Sequence, residues 1–203
     1  MKYCSIVDLT KELKPRADVR YKARVAERQG IMISEVSFQE FKDFYTSIVS
    51  VKKSEEVWDE LSKIHFAAFI AKKDDMPITA AAFVDRYFDR DNIVKGTSDL
   101  HYPNDPVGRE AYYNMAVSDY SSPYSKRAAY LLQIEVMKSL KEKGYERYVV
   151  GVLAEEGDSQ KLKNISNFKK QFGEIYLADG DMFPFRSYTP LDKHHRESSA
   201  SNL

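Results

Sequence analysis

The side chains able to do chemistry crowd one stretch of this 203-residue chain, from Tyr112 to Gly173. Asp119 closes the apolar run YYNMAVSD, and Glu155 and Glu156 follow a second apolar run, RYVVGVL. Strand-end carboxylates stand where an open α/β sheet exposes its cleft, so each could serve as a base or orient an amine. The plainer alternative is a turn residue or a helix cap. Between the two runs, the polar turn YSSPYSKR leads into a long helical pattern that opens with Ser125, Lys126 and Arg127. A helix start offers free N–H groups and partial positive charge, which suit a phosphate. His101 and Asp99 lie upstream in NIVKGTSDLHYPNDPVGREA, a mixed segment read as an irregular loop of functional length. Imidazole titrates near neutrality, although a lone histidine beside Tyr102 and Pro103 can equally be structural. Tyr113, Tyr120, Tyr124 and Tyr188 could donate a proton or line a pocket, but with 14 tyrosines in the chain one in any cleft is expected.

Other chemistries find no footing. His194 and His195 are adjacent in a polar tail, without an acidic or histidine partner at a metal-ligand spacing, so no metal site is expected. No GxSxG elbow, P-loop or GxGxxG occurs. Gly144, Gly151, Gly157 and Gly173 read as helix stops and turns. Cys4 is the only cysteine, which excludes an intramolecular disulfide and a cysteine metal cluster.

The elements that must position these residues follow from periodicity. YYNMAVSD and RYVVGVL read as strands joined by an amphipathic helix that ends at Gly144, with Leu131, Leu132, Ile134, Val136, Met137 and Leu140 on its apolar face. A crossover of that length returns the chain in the same direction, so the two strands should lie parallel in one sheet. A ligand then belongs at the strand ends and the helix start. Ahead of this unit, MKYCSIVDL is strand-like, and Asp8 or Thr10 can cap a basic helix from Lys11 to Gln29. That charge run reads as a solvated face or as a basic edge that meets a phosphate. IMISEV is a further strand, Ser37 with Glu40 has capping-box spacing, and a helix runs from Ser54 to Lys63. HFAAFIAKK and ITAAAFVDRYF form an antiparallel pair about the breaker DDMP. Ala80, Ala81 and Ala82 mark a face for close helix packing. EIYLADGDMFPFRSY reads as a last hairpin with Ala178 to Asp181 at its turn. One domain over 1–191 with a polar tail at 192–203 is the economical count.

Composition narrows the function. Lys plus Arg and Asp plus Glu both total 31, so the net charge is zero and no broad nucleic-acid or membrane surface is signalled. No segment approaches the roughly 18 apolar residues that a membrane span needs. The opening residues lack a basic region followed by an apolar one, and a cytoplasmic enzyme is the expectation.

The run NFKKQFGEIYLADGDMFPF resembles the C-terminal signature of the FemAB-like acyltransferases, a branch of the GNAT superfamily. The match rests on Phe168, Lys169, Lys170, Phe172 and Gly173. Two further pieces agree in order and spacing: the helix followed by KEKGYERYVVGVL, and the entry segment RYKARVAERQGIMISEVSFQEFKDFY. The resemblance implies an α/β (α+β) GNAT-like domain, a mixed and mostly antiparallel sheet flanked by helices and splayed where two parallel strands part. It implies attack of an amine on a thioester, or on an aminoacyl ester of tRNA. It also implies Lys169 as a cation near the reacting carbonyl, with Lys170 on a different, solvated face. Asp119 and His101 stand beside Lys169 as base or amine-orienting candidates. The donor, acetyl-CoA or another acyl-CoA, would lie against Ala116, Val117, Ser125, Lys126 and Arg127. Acetyl-CoA-binding GNAT proteins place a glycine-rich turn where the long helix starts, whereas residues 122–129 of this chain hold no glycine. The acceptor would be a small amine such as an amino sugar or amino acid. An aminoacyl-tRNA donor and a non-catalytic binding domain are the alternatives. A family built on paired domains also makes a homodimer an expectation to check.

Overall fold

The structure, a computed structural model, describes residues 2–50, 53–89, 96–97, 107–179 and 187–190. In chain order the elements are β1 (Lys2–Asp8), α1 (Ala17–Arg28), β2 (Met32–Val36), α2 (Phe38–Ile48), α3 (Glu55–Ile64), β3 (His65–Lys73), β4 (Met76–Asp89), β5 (Gly96–Thr97), β6 (Val107–Ser118), α4 (Ser125–Glu142), β7 (Arg147–Val152), α5 (Gln160–Lys169), β8 (Glu174–Asp179) and β9 (Ser187–Pro190). The strands form one sheet in the order β2-β3-β4-β6-β7-β1-β8-β9, with β5 on β4. Among the described strands only β6 and β7 run parallel. The expected mixed, mostly antiparallel sheet is therefore present, with its parallel pair formed by the two strands that α4 connects.

Local chemistry sets the element ends. Ser37 and Glu40 make the reciprocal capping box at the start of α2, and Ser54 and Ser159 cap α3 and α5 through their hydroxyls. The β3–β4 hairpin turns on Asp74 (φ 50°) and Asp75 (φ 63°), the two left-handed residues of a type I′ turn. Several boundaries differ from the expectation. The first helix opens at Ala17 rather than Lys11, because Pro15 disfavours a helical Lys14. Asp8 closes a turn instead of capping it, accepting from the Thr10 amide at 3.0 Å and the Thr10 hydroxyl at 2.6 Å. Residues 107–111, assigned to the irregular loop, extend β6 to 12 residues, since Glu110 and Ala111 are needed to pair with β7. The last hairpin is present as β8 and β9, but Ala178 and Asp179, expected at its turn, belong to β8 and pair with Tyr188 and Ser187, with 180–186 between the strands.

Helices cover both faces of the sheet. On one, α1 and α4 pack Val19, Leu132, Val136, Met137 and Leu140 on Phe69, Ala81, Phe83 and Tyr148. On the other, α2 and α3 pack Phe41, Phe44 and Trp58 on Ala68, Ile70, Ala80 and Ala82. The alanine run is thus shared out: Ala81 lies under α4, its neighbours under α2. Each fully buried large side chain contributes on the order of 1.5–3 kcal/mol, enough for these layers to fix the sheet between them.

β1 enters the sheet centre from the chain start, between β7 and β8, and its backbone is approached closely at Gly173. A Cβ on Gly173 would stand 2.3 Å from the Ile6 carbonyl oxygen. Backbone cannot yield as a side-chain tip can, so Gly173→Ala is expected to lower stability by about 1–3 kcal/mol. Urea unfolding checks this, and a variant as stable as the parent would show that the contact carries no constraint.

Candidate active site in the strand splay

β6 and β7 pair at Glu110↔Arg147, Ala111↔Tyr148 and Tyr112↔Val149, and no further. Both strands continue, to Ser118 and Val152, on their outer partners β4 and β1. Each carries a bulge just past the last shared pair. In β6 the register against β4 shifts between Ala82 and Phe83, which leaves Asn114 as the extra residue. In β7 the register against β1 shifts between Ser5 and Ile6, which leaves Val150 as the extra residue beside Gly151. A bulge bends its strand and raises the local twist, and two facing bulges part the pair into a V. The side-chain alternation resets as well: Ala111 and Tyr113 pack toward α4, but Met115 and Val117 pack toward α2 and α3.

Lys169 reaches into the head of this V. Its Nζ donates to the Val152 carbonyl at 3.1 Å. A Cβ built on Gly151 would stand 2.8 Å from that Nζ and 3.8 Å from the Tyr113 carbonyl oxygen, so the ammonium fills the place that a side chain on β7 would take. Gly151 sits at φ +114°, a left-handed conformation that glycine alone adopts freely. Sequence reasoning read Gly151 as a turn residue. It lies inside β7, where a glycine within a strand pattern signals a bulge or a close approach.

The end of α5 delivers the lysine. Phe168 and Phe172, four residues apart, pack on Tyr130 of α4 with ring centroids 5.1 and 5.9 Å away, and on each other at 4.9 Å. Gln171 Oε1 accepts from the Tyr130 hydroxyl at 3.1 Å, and the Ser5 hydroxyl donates to the Lys169 carbonyl at 3.0 Å. With both aromatics committed to α4, Lys169 turns toward β7 and Lys170 stays exposed. Burial pushes the Lys169 ammonium down to about 8. It is then about ten to one charged at pH 7, yet close enough to neutrality to give up a proton. Beneath it, the Tyr148 hydroxyl donates to Gln133 Oε1 of α4, and burial raises both Tyr113 and Tyr148 well above the usual phenol range.

The V opens toward the C-terminal ends of β6 and β7, where α4 begins. Tyr124 is the N-cap of α4 and makes no side-chain capping bond. Lys126 and Arg127 are exposed there, and Ser125 is buried. These three are candidates to hold an anionic donor group, with Ala116 exposed on the splayed half of β6. Val117, expected against the donor, turns its side chain into the α2–α3 core, and its carbonyl faces β4, where it accepts from the Thr79 hydroxyl at 3.0 Å. Asp119 caps the β6–α4 turn: its Oδ1 accepts from the Ser121 amide at 2.9 Å and the Ser121 hydroxyl at 2.6 Å, and these bonds hold its pKa below the usual carboxylate value. That geometry matches the turn reading rather than the base reading. Glu155 and Glu156 are exposed after β7. His101, Asp99, His194 and His195 lie outside the described residues. Among the described residues no three His, Cys, Asp or Glu side chains come together.

Neither a family model nor a curated protein sequence matches this chain. Solved structures do. The C-terminal domain of a putative lysylphosphatidylglycerol synthetase from Agrobacterium fabrum is 16% identical, with a TM-score of 0.58 over 100% of this chain and 64% of that one. L-PGS from Bacillus licheniformis is 16% identical, with a TM-score of 0.55 over 93% of this chain and 59% of that one. FemX is 12% identical, with a TM-score of 0.59 over 97% of this chain and 63% of that one. The chain thus spans less than two thirds of the length of each. At these identities the likeness is one of fold. The fold is the GNAT type, in the form shared with FemAB-like proteins, as the resemblance of FKKQFG implied.

The depressed Lys169 pKa has a sign that stability can test. Unfolding returns the side chain to its ordinary value near 10.4, so between pH 8 and that value the unfolded chain binds more protons and stability rises with pH. Below pH 8 the full cost of burying the charge is present. Lys169→Met is therefore expected to melt at a higher temperature than the parent at pH 7, with the gap closing by pH 10. A variant that is less stable at pH 7 would contradict the buried-charge reading.

Proposed function

We propose that this chain is an N-acyltransferase that moves an acyl group from a CoA-type donor to a small amine acceptor, such as an amino sugar or amino acid. The observation that carries the proposal is the Lys169 ammonium at the head of the β6–β7 splay. A carbonyl seated in that V would meet a fixed cation as negative charge develops on its oxygen, the charge arrangement that acyl transfer requires. The leaving thiol or hydroxyl needs a proton, and a lysine with a pKa of about 8 can supply one. Ser125, Lys126 and Arg127 would hold the donor's phosphates at the start of α4. A cytoplasmic location belongs to the proposal.

A second reading takes the acyl group from aminoacyl-tRNA. It is favoured by the turn at 122–129, which holds no glycine to let backbone N–H groups come close to a pyrophosphate. Three structures of like fold lean the same way by name, one a putative lysylphosphatidylglycerol synthetase, one L-PGS and one FemX. The zero net charge weighs against a broad tRNA surface.

Thermal unfolding with acetyl-CoA, palmitoyl-CoA and lysyl-tRNA separates the readings, because a ligand bound only to the folded chain raises its midpoint. Stabilisation by CoA esters alone supports the first, by lysyl-tRNA alone the second, and by none a non-catalytic domain. Lys169→Ala is expected to lower turnover by about 10²–10³-fold, the usual loss for one oxyanion-stabilising group, with little change in donor affinity. Unchanged turnover would remove Lys169 from the chemistry.

A further inference from the structure

In β6 Tyr113 packs toward α4, and Asn114, the extra residue of the bulge, stands beside His65 at the start of β3. The His65 ring is fixed twice. Phe38 of α2 stacks on it with centroids 4.8 Å apart, and its Nδ1 lies 2.5 Å from the Leu61 carbonyl oxygen of α3. A carbonyl can only accept, so Nδ1 carries the ring proton. Burial favours the neutral imidazole, which leaves Nε2 as a lone-pair acceptor. Asn114 Nδ2 stands 3.2 Å from Nε2 and donates to it. This chain of bonds orients the carboxamide: its NH2 is held against His65, and its Oδ1 remains to accept, with no protein donor among the described residues. Asn114 is the residue after Tyr113, whose carbonyl lines the head of the V opposite Gly151.

We infer that Asn114, oriented by His65, is the subsite for the attacking nucleophile, its Oδ1 accepting an N–H from an amine that enters from the α2–α3 side. The inference rests on the acyl-transfer reading and deepens it. Lys169 comes from α5 and the phosphate candidates from α4, both packed on the other face, so the donor's polar end and the acceptor approach from opposite sides of the sheet. Once the amine is seated, its nitrogen attacks the donor carbonyl carbon and a C–N bond forms. The C–S bond of a thioester, or the C–O bond of an aminoacyl ester, breaks, and the proton lost by the nitrogen leaves on that sulfur or oxygen. A carboxamide oxygen also accepts from a hydroxyl, so the acceptor class needs its own arm in the test.

The experiment measures KM for donor and acceptor separately in the parent chain, Asn114→Ala and His65→Phe, the last keeping the ring stack but not the acceptor nitrogen. Acetyl-CoA and lysyl-tRNA serve as donors; glucosamine and L-lysine serve as amines, with glycerol as the hydroxyl control. The expected result is a KM for the amine raised about 10- to 100-fold in Asn114→Ala, a smaller rise in His65→Phe, and a KM for the donor within twofold of the parent. If Asn114→Ala does not fold, Asn114→Ser gives the same readout. Equal rises in both KM values would make the pair structural and overturn the subsite, as would an unchanged amine KM. Turnover of glycerol in preference to both amines would overturn the amine assignment. A parent chain that transfers from neither donor to any acceptor would overturn the acyl-transfer reading itself, and the subsite with it.

Discussion

The structure depends on one constraint: a lysine ammonium has to be accommodated where two parallel strands stop pairing. A cation placed between strands is costly unless backbone carbonyls receive it and no side chain competes for the space. Here the Val152 carbonyl receives it, and Gly151 leaves the space open. The opening exists because β6 and β7 each insert an extra residue just beyond their last shared pair, and the two bulges twist the strands apart. Full pairing would bury the backbone groups that the V exposes and would close the only gap between the two strands. The site is therefore a designed failure of strand pairing, held open by the outer partners β4 and β1.

What holds Lys169 in place is mostly aromatic packing at a distance from the charge. Phe168 and Phe172 fasten the end of α5 to Tyr130 of α4, and Ser5 of β1 ties down the lysine's own carbonyl. Lys22 of α1 completes this support, lying 3.1 Å from the Tyr130 hydroxyl and 3.4 Å from Gln171 Oε1. The run FKKQFG thus works as a unit: two rings for anchorage, one cation placed at the strand splay, one amide for the link to α4, and a glycine for close approach to Ile6. A functional group set on such a rigid frame keeps its geometry without help from substrate. On the opposite face, Asn114, the extra residue of the β6 bulge, is held by His65.

Much of this was legible in the sequence, and the reasons are physical. The strand–helix–strand unit declared itself through periods of 2 and 3.6, and the crossover length dictated a parallel pair. Capping at Ser37 and the hairpin about DDMP are local chemistry and were readable as such, whereas the type I′ form of that turn shows only in the backbone. Lys169 could be singled out only through the resemblance of its neighbours, because burial, which sets its pKa, is a tertiary property. The bulges were illegible for the same reason: an extra residue shows only against a partner strand, and nothing in YYNMAVSD marks Asn114 as the unpaired one. Gly151 was the one available signal, a glycine inside an apolar strand. Asp119, a strand-end carboxylate attractive for chemistry, also holds its own turn through Oδ1, a bond that no sequence pattern announces.

The central claim is that the donor lies in the V between β6 and β7 with Lys169 at its head. Amide hydrogen exchange, with and without whichever of acetyl-CoA or lysyl-tRNA the chain binds, tests it most directly. The account predicts new protection confined to residues 113–118, 150–152 and 122–128. Protection centred instead on the surface groove between α1 and α4, lined by Leu13, Arg20, Arg24, Leu131, Ile134 and Lys138, with the V unchanged, would contradict it.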